Sequence, residues 1–253
     1  MKRILIFFVA ALAAFALAAT VFAGHGYSWY CMRKKDHARP TCAPEMAFIS
    51  DHSGYFIGGD PDDKVIYLTF DAGYENGNVA LIVDVLDKHG AKGAFFVLGN
   101  FIEKNEELVR KMSDGGHFIC NHTCRHKDMS KMAGAEFEAE LSALEDVARE
   151  HGIELKKYYR PPEGRFSEEN LIKAEEMGYA TVFWSVAYAD WDNNKQPDPS
   201  RAKKLLLDNT HNGAVILLHP TSKTNADILD ALLTAWENDG YRFGTLDELT
   251  GRK

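Results

Sequence analysis

From Lys64 to the end of the chain, short β-branched or aromatic runs alternate with longer amphipathic stretches. That rhythm restricts the chain to a succession of βα units. Strand candidates fall at 65–71, 94–99, 117–122, 158–162, 181–187 and 214–219, with a weaker seventh at 241–245. Between them lie helix candidates at 79–89, 106–114, 135–150, 168–177, 201–209 and 226–238. Gly90, Gly115-Gly116, Gly152, Gly178 and Gly240 stand where five of these helices must stop. The strands are nearly continuous in apolar residues, as strands covered on both faces are. Seven such units in succession predict an α/β fold, a distorted (β/α) barrel of about seven parallel strands in one domain over 64–250. An open doubly wound sheet is the alternative, but no Gly-x-Gly-x-x-Gly follows the first strand to mark a nucleotide crevice.

The amino terminus differs in kind. Met1, Lys2 and Arg3 precede an apolar run from Ile4 to about Ala19, and Val21-Phe22-Ala23 places small residues where a signal peptidase cuts. Residues 1–23 therefore read as a signal peptide, with a retained membrane anchor of about 17 apolar residues as the alternative. Either reading puts the functional part outside the cytoplasm, secreted or associated with the cell wall. Removing the segment leaves 230 residues and takes the formal charge from −8 to −10. So acidic a chain, with no basic run longer than Arg33-Lys34-Lys35, is poorly suited to nucleic acid or anionic lipid. Membrane contact is expected only through an uncleaved signal. No heptad or exposed apolar stripe argues for an oligomer, so a monomer is expected. Residues 24–63 carry Tyr, Trp, Pro and His without periodicity and read as an extension wrapping the barrel. Cys31 and Cys42 lie close enough in sequence to pair in an oxidising exterior. Cys120 and Cys124 flank His122 as soft metal ligands, a second bridge or plain apolar filling.

In a parallel barrel, functional groups gather at the carboxyl ends of the strands. Five strand ends here carry one: Asp71 on the first, His122 and His126 on the third, Arg160 on the fourth, Asp190 after the fifth and His219 on the sixth. Each alone has a dull explanation as a turn cap, a satisfied core imidazole or a surface charge. Their agreement on one rim raises the odds of a site. The i, i+4 spacing of His122 and His126 puts two imidazoles on one helical face or together across a turn, and imidazole suits zinc and related divalent ions.

The strings Thr69-Phe70-Asp71-Ala72-Gly73, His122-Thr123-Cys124-Arg125-His126, Arg160-Pro161-Pro162-Glu163-Gly164, Asp190-Trp191 and Leu217-Leu218-His219 occur in order. In that order and context they resemble the polysaccharide deacetylase family over about 64–250. Phe70-Asp71-Ala72-Gly73-Tyr74-Glu75-Asn76-Gly77, Trp184-Ser185-Val186-Ala187 and Asn225-Ala226 are most similar to the branch that removes acetyl from muramic acid and so prepares the muramic δ-lactam of the bacterial spore cortex. The resemblance implies a hydrolase with Asp71 as general base, His219 as general acid, and His122 and His126 holding a divalent metal such as zinc. It further implies that Arg160 orients Asp71, that Asp190 pairs with His219, and that Tyr74, Pro161, Trp191 and Leu217 meet the substrate. Peptidoglycan, or another acetylated glycan, is the implied partner.

One position departs from the family pattern. Its usual second Asp in the first motif, a metal ligand, is Ala72 here. The δ-lactam branch resembles this chain in that respect, so weaker metal binding is expected and not loss of activity. Two other readings stay open at this stage. One is a deacetylase acting on N-acetylglucosamine or O-acetyl groups. The other is a catalytically silent glycan-binding protein.

Overall fold

The computed structural model describes residues 26–34, 36–132 and 134–252. The expected signal or anchor, residues 1–23, lies outside them, and among the described residues no helix is long and apolar enough to cross a membrane.

The βα succession is present. β1 (Val65–Ala72) leads through α1 (Asn78–Lys88) to β2 (Ala94–Val97). Two short helices, α2 (Gly99–Lys104) and α3 (Glu106–Asp114), then precede β3 (Phe118–Asn121). The long α4 (Gly134–Glu150) leads to β4 (Lys156–Tyr159), and α5 (Glu168–Glu176) to β5 (Ala180–Val182). α6 (Pro199–Asn209), β6 (Ala214–Leu218), α7 (Lys223–Asn238), β7 (Arg242–Gly244) and α8 (Leu246–Thr250) complete the chain. Helix starts follow local chemistry. Ser167 caps α5 with Asn170 in a reciprocal capping box, and Ser222 caps α7 through the Asn225 amide. Glycine ends the helices as expected, with Gly90 and Gly178 at φ 63° and 82°, where a side chain would be strained.

All pairings among these strands are parallel. One edge of β1 pairs with β6 over Ile66–Phe70; the other is shared, its start with β7 and its end with β2. From β2 the sheet runs on through β3 and β4 to β5. The sheet curls but β5 and β6 do not form a ladder, which makes the barrel distorted. Two segments span that gap. Ser185 and Val186 leave the line of β5 to donate to the Val215 carbonyl (2.9 and 3.1 Å), and Val186 accepts from Leu217 (2.9 Å). Lower down, the short strand Gly54–Tyr55 pairs with β5, Ile57 bridges Ala214, and Gly58 donates to the Gly213 carbonyl. The fifth strand is therefore shorter than the expected 181–187, because its second half serves the closure instead of the sheet. The amino-terminal extension likewise does more than wrap the outside.

Side-chain parity along β1 sorts the molecule into two cores. Ile66, Leu68, Phe70 and Ala72 face the helices, packing with Ile82, Val97, Phe101 and Leu229. Val65 and Tyr67 face the barrel interior with Phe96, Tyr158, Val182 and Val215, and α8 seals the amino end of the barrel with Leu246 and Leu249. Thr69 and Asp71 share the interior parity, so they rise towards the carboxyl end of the barrel axis. A third cluster joins the extension to the barrel: Trp29, Met46 and Ile49 pack on Phe166, Leu171 and Phe183.

Candidate active site

A cleft of about 850 Å³ opens at the carboxyl ends of the strands, and Asp71, His122, His126, Trp191, Leu217 and His219 all line it. The dispersed rim residues read from the sequence are thus brought to one place, on two opposing polar dyads.

The first dyad starts from Arg160, a fully buried cation at the end of β4. Its guanidinium gives Nη1 to Asp71 Oδ1 (2.8 Å), Nη2 to Thr69 Oγ1 (2.9 Å) and to the Phe183 carbonyl (3.2 Å), and Nε to the Val182 carbonyl (2.8 Å). It lies over the Phe96 ring at 4.2 Å. The fork is consumed from all sides, so Arg160 is held more firmly than a surface arginine could be. Burial pushes the Asp71 carboxyl up, but the charge of Arg160, with His122 and His219, more than offsets it and leaves the group below its ordinary value. Asp71 Oδ2 stays clear of the arginine, 3.6 Å from His122 Nε2.

His122 is buried and gives Nδ1 to the Arg160 carbonyl (2.9 Å), so the lone pair of the neutral ring sits on Nε2, on the side of Asp71. Burial is the main reason its imidazolium is disfavoured, with a pKa pushed down to about 4. His126 is exposed, its ring centroid 5.1 Å from that of His122. The two meet across a turn and not on a helix: Thr123 and His126 have φ of 69° and 55°, and Thr123 Oγ1 accepts from the His126 amide (3.0 Å). The residues beside His126 pin this loop to α4, since Arg125 and Lys127 both reach the buried Glu140 Oε1 (2.8 and 3.0 Å).

The second dyad faces the first. His219 Nδ1 meets Asp190 Oδ1 at 2.7 Å, and the His219 amide donates to Asp190 Oδ2 (2.8 Å). Asp190 is buried and takes a third bond from Asn225 Nδ2 (2.6 Å), which also donates to the His219 carbonyl (3.0 Å), while Tyr188 donates to Asn225 Oδ1 (2.5 Å). Burial opposes the imidazolium of His219, yet the hydrogen bond and charge of Asp190 outweigh it and raise the pKa above the ordinary value. Neighbouring groups are thus biased in opposite senses, one towards carrying a negative charge and the other towards keeping a proton.

For a divalent ion, the donors the cleft offers are two imidazoles, of His122 and His126, and one free carboxylate oxygen, of Asp71. Neutral imidazoles are competent ligands and suit zinc. Among the described residues no group of three or more His, Cys, Asp or Glu is arranged as a metal site. The set therefore fits an ion held by His122 and His126 with open positions, and weakly. The cysteines do not supply the missing ligand. Cys120 is buried in the barrel core, and Cys124 packs against Gly99, where an added Cβ would sit 2.8 Å from its sulfur. Ala72 does not face the cleft either: it is fully buried in the helix-side core, so the alanine fills an apolar layer. Cys31 and Cys42 are both free thiols.

Among the expected substrate contacts, Tyr74, Trp191 and Leu217 line the cleft, and Trp191 is 63 % exposed with its ring 6.2 Å from that of His219. Pro161 is a correction. It is buried and is not among the lining residues, because the chain kinks after it and Glu163, at φ 54°, reaches the cleft in its place. Sequence reasoning also gave no role to Thr69 and Asn225, nor to the segment around Trp29. Thr69 was findable from its parity with Asp71, and Asn225 from its place three residues after the cap Ser222.

Residues 58–182 match the polysaccharide deacetylase family. The chain is 38 % identical over 227 residues to the peptidoglycan-N-acetylmuramic acid deacetylase PdaA of Bacillus subtilis (strain 168), covering 89 % of this chain and 86 % of that one. It is 32 % identical over 191 residues to the peptidoglycan-N-acetylglucosamine deacetylase PgdA of Listeria monocytogenes, covering 76 % of this chain and 40 % of that one. The solved structure of Bacillus subtilis PdaA, a family 4 carbohydrate esterase, matches with a TM-score of 0.85 at 37 % identity, over 90 % of this chain and 97 % of that one. With motifs, barrel and relatives in agreement, this chain belongs to the polysaccharide deacetylase family.

Proposed function

We propose that this protein is an exported, metal-dependent deacetylase of peptidoglycan that removes the acetyl group from N-acetylmuramic acid, the step that leads to the muramic δ-lactam. The observation that carries the reading is the pair of oppositely biased dyads on one cleft, Asp71 with Arg160 and His219 with Asp190. Amide hydrolysis needs a base and an acid whose pKa values are driven apart by their surroundings. In this reading Asp71 Oδ2 takes the proton of the attacking water, whose oxygen bonds to the acetamide carbonyl carbon. The C–N bond then breaks, His219 gives its proton to the departing amine, and acetate leaves. Arg160 keeps Asp71 ionised and aimed, and Asp190 keeps His219 protonated and aimed. His122 and His126 would hold a divalent ion, zinc by ligand chemistry, which when bound polarises the acetamide carbonyl. Tyr74, Trp191 and Leu217 bound the space for the sugar.

Muramic acid is placed before N-acetylglucosamine because the relative named for it spans most of both chains at the higher identity. Export rests on the basic and then apolar amino terminus. The test is mass spectrometry of peptidoglycan strands, with and without stem peptides, after incubation with the mature protein in chelator or in added zinc. Loss of one acetyl group from muramic acid only with metal is the expected result. Loss from N-acetylglucosamine alone would move the reading to that sugar, and no mass change under any metal condition would overturn it.

A further inference from the structure

The extension contributes a wall of the cleft that none of the barrel motifs contains. Trp29 anchors it: 4 % exposed, it donates Nε1 to the Trp184 carbonyl (3.0 Å) and its amide to the Gly164 carbonyl (2.8 Å), and it stacks on Phe183 at 4.6 Å. Gly164 makes that approach possible, since a Cβ there would lie 2.9 Å from the Trp184 ring and 3.0 Å from Trp29 Cβ. Beyond the anchor, Tyr30 and Arg33 line the cleft, with Tyr30 half-exposed and its hydroxyl on Glu45 (2.8 Å).

Among the described residues that line the cleft, Arg33 is the one lysine or arginine. It is exposed and gives Nη2 to the Ala187 carbonyl (2.5 Å), which aligns the guanidinium along the wall, and among the described residues it has no acidic partner. The neighbouring acids are committed elsewhere, Asp71 to Arg160 and Glu163 to Arg165 (3.1 Å). A cation fixed at one nitrogen, with its remaining donors unspent beside a substrate cleft, is suited to a planar anion.

We infer that Arg33 is a specificity-determining residue that binds the carboxylate on the lactyl arm of muramic acid. The inference rests on the muramic acid reading and deepens it. That sugar carries the acid on the carbon next to the one bearing the acetamide, so an acetyl group at the Asp71–His219 gap puts the arm within the same cleft. N-acetylglucosamine has no such arm, and an amidated arm carries no charge. Selectivity then comes from the amino-terminal wall, while the chemistry comes from the barrel.

The experiment compares three short glycans under one set of conditions: a muramoyl strand with free lactyl acid, the same strand with that acid as its methylamide, and an N-acetylglucosamine oligomer. The metal-loaded mature protein is expected to favour the free acid over the methylamide by about tenfold in kcat/KM, the scale of one charge-assisted hydrogen bond. The preference should shrink as salt is added. In Arg33→Gln the ratio should fall to about one, entering mainly through KM, and Arg33→Lys should retain part of it. A ratio unchanged in Arg33→Gln, in a variant whose thermal melt matches the parent, overturns the inference while leaving the muramic acid reading intact. If the parent protein turns over no muramoyl strand, that reading fails, and calorimetric binding of the acid and methylamide strands decides Arg33 separately. Tighter binding of the acid that disappears in Arg33→Gln supports the inference, and equal or absent binding overturns it.

Discussion

The two sides of the cleft solve the same problem with opposite charges. On one side a buried cation, Arg160, sets the state of an acid; on the other a buried acid, Asp190, sets the state of an imidazole. Their supports differ. Arg160 is held by two backbone carbonyls and a threonine, groups on β1, on β5 and at the residue just past its end. Asp190 sits in a loop and depends on Asn225 at the start of α7, whose amide bonds the carboxylate and whose oxygen is taken by Tyr188. One dyad is therefore built into the sheet, and the other is assembled from side chains of a loop and a helix. Damage on the first side should reach the fold, and damage on the second should stay in the chemistry.

Arg160→Met tests the first half and should have the largest effect. It leaves the largely buried Asp71 carboxylate without its partner, so activity should vanish and stability fall by about 3 kcal/mol, the low end for a broken buried pair, in urea denaturation. An equally stable variant would mean that the sheet does not depend on the pair. His219→Ala comes next. Turnover should drop by roughly 100-fold or more with KM little changed, and the denaturation midpoint should hardly move. A fall in stability as large as for Arg160→Met would erase the contrast between the two sides.

Asp190→Asn sharpens the comparison through pH. The carboxylate raises the pKa of His219, so the protonated acid survives to higher pH than an ordinary imidazole would allow. Without that charge the pKa falls, and the alkaline limb of the kcat profile should move to lower pH while the acid limb stays. An unmoved alkaline limb would take His219 out of the proton-donating role. The smallest effect is expected of Trp191→Ala on the open rim. KM for a glycan strand should rise about tenfold, the scale of one stacking contact, with stability unchanged.

How much of this could be read from the chain alone depends on the kind of signal. Asp71, His122, Arg160 and His219 lie at strand ends, where apolar runs stop at polar residues, so periodicity exposes them. The fold follows from the same alternation, and the limits of the expected helices agree to within one residue except at the starts of α6 and α7, which come earlier, at Pro199 and after the cap Ser222. Pairings across long sequence distances were not legible. The two-residue strand Gly54–Tyr55 is too short to show a period, and its partner strand β5 is 3 residues long. The change of direction after Val182 is invisible in an apolar string, so 181–187 reads as one strand. Ala72 reads as a missing ligand because sequence gives the residue and not its face. Its parity with Phe70 places it among the helices.

The seam between β5 and β6 also has a consequence in time. Residues 54–58 are made early, yet their partners are Thr181, Val182, Gly213 and Ala214. The start of β1 is likewise completed only by β7, near the end of the chain. Contacts between distant parts of a sequence cost loop-closure entropy before they return any stabilisation, and they slow folding. Until the last βα units arrive, β1 has an open edge, and until β5 is made the Trp29 segment lacks part of the surface it docks on. The cleft is therefore completed late, and a chain interrupted before β6 would hold the motif residues Asp71, His122 and Arg160 without a site to put them in.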